Sequence, residues 1–439
     1  MKLPTTGTPR EELEKEMRAQ SALDVDWKNG KIWTLVYFAG DDVADLLSDT
    51  FSSFLYTNGL GPTAFKSLKK FEAEVVAITA DLLGDSEAIG NMTSGGTESI
   101  LMAVKAARDW AREERPHVAA PEMVLPVTAH PAFDKAAHYL GLKTVHVPLR
   151  EDLRVDVEEA RTAMTDNTIL VVGSAPCYPY GVVDPIPELA AMAQEREICC
   201  HVDACLGGFF LPFLRRLGQP VPPFDFDLPG VTSISADLHK YGYSVRGTST
   251  IMYRDPELRR YQFFSQANWP GGLYGSPTMT GSRPGAAIAA SWALLHYLGE
   301  EGYLRLTRTT METTRELIDG INAIPGLVVR GEPDMAVLAF GSDSLDSYAL
   351  CDAMGDRGWN LERLQKPPNL HLVVTPAHKD AAKPFLTDLR DSAQEVSSKE
   401  PGSGGTAAMY GALEALPDRE GVHKVILDFV DGMTRLEKS

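Results

Sequence analysis

Between residues 123 and 250, short apolar runs alternate with helix-spaced segments. That rhythm restricts the architecture more than any other feature of the chain. Residues 123–127 and 143–147 read as strands separated by a helix at 131–140. Residues 168–172 read as a further strand, followed by a loop around 176–179, and a helix at 186–196 leads back to Cys199-Cys200-His201-Val202-Asp203. Short apolar strands that alternate with helices pair mostly in parallel and need cover on both faces. The expected fold class is therefore α/β, a mainly parallel sheet covered by helices. In such sheets the chemistry collects outside the carboxyl ends of the strands, where Ser94, His130, Asp203 and Lys240 are all expected to lie.

Three stretches meet at that edge. Thr232-Ser233-Ile234-Ser235-Ala236 reads as a strand that runs into Asp237-Leu238-His239-Lys240-Tyr241-Gly242-Tyr243. A surface position is the ordinary reading of such a lysine. Beside a histidine in a buried aromatic setting, loss of hydration would instead make it an imine-forming amine. The second stretch, Gly90-Asn91-Met92-Thr93-Ser94-Gly95-Gly96-Thr97-Glu98-Ser99, opens a helix to about residue 112. Ser94 or Thr97 is expected to cap it, and its small residues leave backbone N–H groups for an anion. The patterns of nucleotide P-loops and of dinucleotide-binding turns are both absent. The third is Asp203, just past an apolar strand.

Together these supply a phosphate anchor, a carboxylate for a protonated ring nitrogen and an amine for a covalent tether, which are the needs of pyridoxal 5'-phosphate. His130 adds a planar ring that can stack on such a cofactor. Each residue also has a plain structural alternative: Asp203 as a cap, His130 as a satisfied core side chain, Lys240 as surface. Their shared address at the sheet edge favours the cofactor.

At 439 residues the chain exceeds a simple single core. We read residues 1–60 as an N-terminal arm and interface segment, 61–299 as the large cofactor-binding α/β domain, and 300–439 as a small C-terminal α+β domain. The arm begins with a charged amphipathic helix within residues 1–20, and Trp33-Thr34-Leu35-Val36-Tyr37-Phe38 looks strand-like. Such an aromatic arm is suited to burial on a partner subunit. Residues 269–277 are too rich in glycine and proline for regular structure. Helices are expected over 283–297 and 302–321, and a flexible loop over 397–406.

The formal charge of −18, from 60 acidic and 42 basic side chains, argues against nucleic acid as a partner. No stretch approaches the length of a transmembrane segment and no targeting segment is evident, although peripheral membrane contact stays open. Five cysteines without metal-site spacing (Cys177, Cys199, Cys200, Cys205 and Cys351) fit reduced thiols in a cytoplasmic protein and give no metal site.

The chain resembles the fold-type I, group II pyridoxal-phosphate decarboxylase superfamily, and within it the sphingosine-1-phosphate lyases. The resemblance runs from about residue 27 to near the C-terminus. It is carried by Thr93-Ser94-Gly95-Gly96-Thr97-Glu98-Ser99-Ile100-Leu101-Met102, His201-Val202-Asp203-Ala204-Cys205-Leu206-Gly207-Gly208-Phe209 and Ser233-Ile234-Ser235-Ala236-Asp237 with His239-Lys240-Tyr241-Gly242-Tyr243. Tyr261-Gln262-Phe263-Phe264 and Ser276-Pro277-Thr278 with Gly281-Ser282-Arg283-Pro284-Gly285 add to it.

The resemblance implies that Lys240 forms the Schiff base, Asp203 pairs with the pyridine nitrogen and His130 stacks on the ring. It places Gly95, Gly96, Thr97 and His239 at the cofactor phosphate, joined by Ser276 from the other subunit of a homodimer with shared active sites. Tyr37 and Tyr178 match active-site tyrosines, and Tyr178 is the first candidate for the base. Arg246 stands where the family has a lysine for the substrate phosphate. Lys240, Tyr178, His130 and His239 form the implied catalytic set.

The implied activity is retro-aldol cleavage of a phosphorylated long-chain sphingoid base into a fatty aldehyde and phosphoethanolamine. The chain departs from the pattern at Gly61, where the lyases carry a substrate-phosphate histidine, and again at Thr63 and Lys66. Loss of that histidine keeps an amino-acid decarboxylase as the alternative.

Overall fold

The computed structural model describes residues 2–398 and 419–435. Its centre is a seven-stranded sheet of β1 (Ile89–Thr93), β2 (Glu122–Pro126), β3 (Lys143–Val147), β4 (Thr168–Ser174), β5 (Cys199–Asp203), β6 (Ser233–Ala236) and β7 (Ser249–Tyr253). The spatial order is β1-β7-β6-β5-β4-β2-β3. The pairs from β3 through β2, β4 and β5 to β6 are parallel, and β7 runs antiparallel to both β6 and β1. Every residue of β2, β4, β5, β6 and β7 is buried. This is why those segments consist mostly of apolar and small residues on both faces rather than on one.

A two-stranded hairpin joins β8 (Phe264–Gln266) to β9 (Tyr274–Ser276), and so part of 269–277 is regular after all. Backbone pairing with the preceding strand overrides the low strand propensity of Tyr274-Gly275-Ser276. A second sheet, order β10-β11-β13-β12, is built from β10 (Val328–Arg330), β11 (Val337–Gly341), β12 (Glu362–Leu364) and β13 (Asn369–Val373), all antiparallel. The helix Gly285–Asn322 bridges the two halves of the chain and kinks at Gly299, whose φ of 53° only glycine adopts at little cost. Most of the expected loop at 397–406 lies outside the described residues.

The segment around Trp33 is not a strand. Leu35 has a φ of 64°, which breaks an extended run. Trp33 is fully buried, stacked on His378 at 4.2 Å between ring centroids and packed on Phe385. Its backbone joins the small sheet by Val373 N–H donating to Trp33 O at 2.6 Å, and His378 Nε2–H donates to Ile32 O at 2.8 Å. The aromatic content that suggests a strand is instead the anchor of the arm.

The turn that carries Lys240 is clamped in the same way. Tyr241 is fully buried, and its hydroxyl donates to the carbonyls of Ala336 and Val374, at 3.0 and 2.9 Å. The hydroxyl of Tyr303 donates to Gly242 O at 2.9 Å. A Cβ on Gly242 would stand 2.5 Å from Leu238 O, so only glycine fits between the two tyrosines. Each buried hydrogen bond contributes about 1 kcal/mol, but their larger effect is to fix one geometry for the neighbouring lysine.

Candidate active site

The ends of β2, β4, β5 and β6 and the turn after β1 surround one cavity of about 320 Å³. Ser94, His130, Tyr178, Asp203, His239 and Lys240 all line it. The four residues expected at this edge from the strand pattern are therefore brought together.

At the start of the helix Gly96–Glu114, Gly95 is the N-cap residue, with a φ of 152° and no side-chain cap. The expected capping by Ser94 or Thr97 does not occur. Glu98 reaches back instead, accepting from Ser94 N–H at 2.6 Å and from Met279 and Thr280 N–H at 2.8 and 3.2 Å. The first N–H groups of the helix are left for an anion. A Cβ on Gly96 would lie 2.7 Å from Cys205 Sγ and 2.9 Å from Asp237 Oδ2, and one on Gly95 3.4 Å from His239 Cε1. The glycines thus open the cradle, and His239 forms one of its walls.

Asp203 is 8% exposed at the end of β5. Cys205 N–H and Ser235 Oγ–H both donate to its Oδ1, at 3.1 and 3.2 Å, which leaves Oδ2 for another donor. Burial works against its charge, but Lys240, His130 and the Cys205 contacts outweigh burial and hold the carboxyl below its ordinary range. A carboxylate kept ionised is what a protonated ring nitrogen requires. Across the cavity His130 accepts from Ala132 N–H through Nδ1 at 3.1 Å, so its proton sits on Nε2. Burial lowers its pKa and keeps the ring neutral.

The charge on Lys240 is set by its acidic neighbours as well as by lost hydration. Burial does push its pKa down, but Asp237, followed by Cys205, Tyr37 and Asp203, more than reverses this, and the pKa is raised. Its Nζ is 3.1 Å from Asp237 Oδ2. His239 Nε2 is 3.5 Å from the same oxygen, and its Nδ1 accepts from Thr248 N–H at 3.3 Å. Asp237 lies three residues before Lys240, and nothing in the local sequence assigns it a role.

Tyr178 follows a cis Ala175–Pro176 bond after β4, and its hydroxyl donates to Glu362 Oε2. Burial, then Glu362, push the phenol pKa up, so Tyr178 is not a resident phenolate. Burial likewise holds the Tyr37 phenol up at about 12. The Arg246 guanidinium carbon lies 5.4 Å from the Tyr37 ring centroid, and its Nη1 donates to His239 O at 3.2 Å. Tyr37 and Arg246 are thus neighbours of the site without lining the cavity itself.

Ser276, Gly61 and Lys66 are not brought to this cavity. Ser276 Oγ is engaged by its own chain, donating to the carbonyls of Thr278 and Thr280. At Gly61 a Cβ would have Ala64 Cβ at 3.8 Å and Phe65 Cδ2 at 3.9 Å as its nearest neighbours, so the position has room for a side chain.

These residues fit pyridoxal phosphate: an uncapped helix start, an ionised acid with an available oxygen, a flat neutral ring and a lysine share one cavity. A family model described as the pyridoxal-dependent decarboxylase conserved domain matches residues 4–342. The sphingosine-1-phosphate lyase of Oryza sativa subsp. japonica is 46% identical, over 98% of this chain and 81% of the relative. The solved Burkholderia pseudomallei sphingosine-1-phosphate lyase is 37% identical with a TM-score of 0.90, covering 99% of this chain and 97% of that one. The Lactobacillus brevis glutamate decarboxylase shares the fold, with a TM-score of 0.79 at 21% identity, over 91% of this chain and 96% of that one.

Proposed function

The chain belongs to the pyridoxal-dependent decarboxylase family, in its sphingosine-1-phosphate lyase branch, and from that premise we propose that it cleaves phosphorylated long-chain sphingoid bases. The products are a fatty aldehyde and phosphoethanolamine. The observation that carries this reading is likeness to a lyase across nearly the whole chain, 46% identity over 98% of it, rather than across the cofactor motifs alone. The likeness to a glutamate decarboxylase, at 21% identity, extends to the fold only.

Pyridoxal phosphate, when bound, supplies an aldehyde for an amine and a sink for the electron pair released by bond cleavage. The N–H groups after Gly95 would hold its phosphate, with His239 alongside. Asp203 would hold the proton of the ring nitrogen, and His130 would pack against the ring. Lys240 would provide the tether. Arg246 and Tyr37, beside the site, would receive the substrate phosphate. Removal of the C3 hydroxyl proton at Tyr178 lets the C2–C3 bond break.

The proposal includes a homodimer. The Gly61 loop and Ser276 stand away from the cavity of their own chain, and the helix Arg10–Ser21 has no buried residue. Both features suit sites completed by a second subunit. Five free, buried cysteines are in keeping with a reducing cytoplasmic setting. Among the described residues no helix is long and apolar enough to cross a membrane.

The test is product analysis. The holoenzyme is incubated with a phosphorylated sphingoid base and, separately, with a panel of amino acids. Long-chain aldehyde from the first is expected. Carbon dioxide from an amino acid without any aldehyde would replace this reading with the decarboxylase.

A further inference from the structure

We propose that Glu362 is the proton acceptor through which Tyr178 serves as the base of the cleavage; this rests on the lyase reading above. Glu362 lies on β12, 184 residues beyond Tyr178 in the chain, and accepts the hydrogen bond of the Tyr178 hydroxyl through Oε2. Its other oxygen, Oε1, accepts from Thr34 Oγ1 at 3.0 Å, and Thr34 is buried. The acid is thereby held in one orientation between the arm and the tyrosine.

The strand neighbour of Glu362 holds the other end of the same residue. Glu362 pairs in register with His371, whose Nε2–H donates to Tyr178 O at 2.8 Å and whose ring centroid is 4.3 Å from that of Tyr178. Burial pushes the His371 pKa down, so this neighbouring ring brings no positive charge to Glu362. The adjacent Arg363 is turned to Asp352. Glu362 is thus a carboxyl group fixed on a cavity-lining phenol, and among the described residues the phenol donates to no other group.

A buried tyrosine with a raised pKa takes a proton from another hydroxyl only if it gives up its own. The transfer balances as follows. The substrate C3 O–H bond breaks and its proton goes to the Tyr178 oxygen, while the Tyr178 proton passes to Glu362 Oε2. The electron pair of the broken O–H bond becomes the second bond of the aldehyde C=O, and the C2–C3 pair stays with C2. Product C2 then needs one proton, and Glu362 returns the one it holds through Tyr178. The cycle exchanges no net proton with solvent, as the overall reaction demands.

The experiment compares Glu362→Gln, Glu362→Asp, Tyr178→Phe and the double variant Glu362→Gln with Tyr178→Phe as holoenzymes. Glutamine preserves an acceptor for the Tyr178 hydroxyl but cannot take its proton. The expected result is a kcat loss of about 100-fold or more for Glu362→Gln, in the range of a general base, with KM and bound-cofactor absorbance nearly unchanged. Glu362→Asp should recover part of the rate, and the double variant should be no slower than its slower parent. A Glu362→Gln kcat within about threefold of the parent would overturn the proposal, as would additive losses in the double variant. Loss of cofactor or of thermal stability in both Glu362 variants would equally overturn it, leaving a structural role. A parent enzyme that forms no aldehyde sinks the lyase reading itself, whereas normal turnover with an indifferent Glu362 sinks only the relay.

Discussion

The Nζ of Lys240 stands 3.1 Å from Oδ2 of Asp237, a carboxylate 1% exposed whose oxygens accept no hydrogen bond of good geometry among the described residues. An opposite charge this close typically moves a pKa by about 1–3 units, and here it outweighs the burial that opposes an ammonium. Asp237→Asn should therefore speed acylation of Lys240 in cofactor-free protein by roughly 10- to 1,000-fold near neutral pH, because rate follows the unprotonated fraction. Timed labelling with acetic anhydride and peptide mapping reads this. An unchanged rate would mean that the contact does not hold the proton.

Lys240 should be the lysine that bears the cofactor. Borohydride reduction of the holoenzyme followed by peptide mapping is expected to mark it alone, and Lys240→Ala should abolish turnover while leaving at most loose cofactor binding. A mark on another lysine would reassign the tether.

Arg246 should govern affinity for the substrate phosphate. Removing a charged, hydrogen-bonded partner costs about 2–5 kcal/mol at a desolvated site. In the single chain Arg246 is exposed, which favours the lower end and a KM increase of roughly 30-fold in Arg246→Ala. Cofactor absorbance should persist, and a dephosphorylated substrate should be affected far less. Equal losses on both substrates would make Arg246 structural.

Activity and cofactor should be lost together on dilution if the sites are shared between subunits. Sedimentation and turnover measured from micromolar to nanomolar protein read this. A fully active monomer at micromolar concentration would contradict the proposed dimer.

Acid should destabilise the fold between about pH 6.5 and 4. Burial pushes His201 and His378 down to about 4, and His371 also down, so the folded chain holds all three neutral. The unfolded chain, with ordinary histidine values, takes up protons first as pH falls, and stability is lost. Each of the first two shifts corresponds to roughly 3 kcal/mol when the window is crossed. Buried Asp184 works in the opposite sense: pushed up to about 6, it takes its proton first in the folded state and returns a comparable amount as pH falls. Asp225 and Asp334 act in the same sense as Asp184, but His130 and His239 add to the histidines and Asp109, Asp152 and Asp203 are held below their ordinary range, which leaves a net loss. Urea unfolding at pH 7 and 4.5 should show it, and His378→Gln should reduce the difference by roughly 2–3 kcal/mol. A pH-independent midpoint would exclude these groups as its source.

The strands β2, β4, β5 and β6 were legible because a strand buried on both faces is made mostly of apolar and small residues, a property each segment carries by itself. Asp203 and Lys240 followed from that, since a residue just past a buried strand lies at the sheet edge whatever surrounds it. The glycine turn was legible as an anion cradle, but its capping was not. Whether Ser94, Thr97 or Glu98 satisfies the local N–H groups depends on a loop at 279–280 that the sequence does not place.

What the tertiary structure alone decided are the pairings across long separations. Trp33 became an anchor rather than part of a strand because His378 and Phe385 offer it a stacked, dry site. Glu362 gained a role because β12 lies beside β13, within reach of Tyr178, and no local pattern marks a glutamate that meets its partner 184 residues away. The charge on Lys240 is a tertiary matter for the same reason. Hydration loss can be guessed from apolar neighbours in sequence, but the field at a buried amine is a sum over carboxylates whose distances only the folded chain sets.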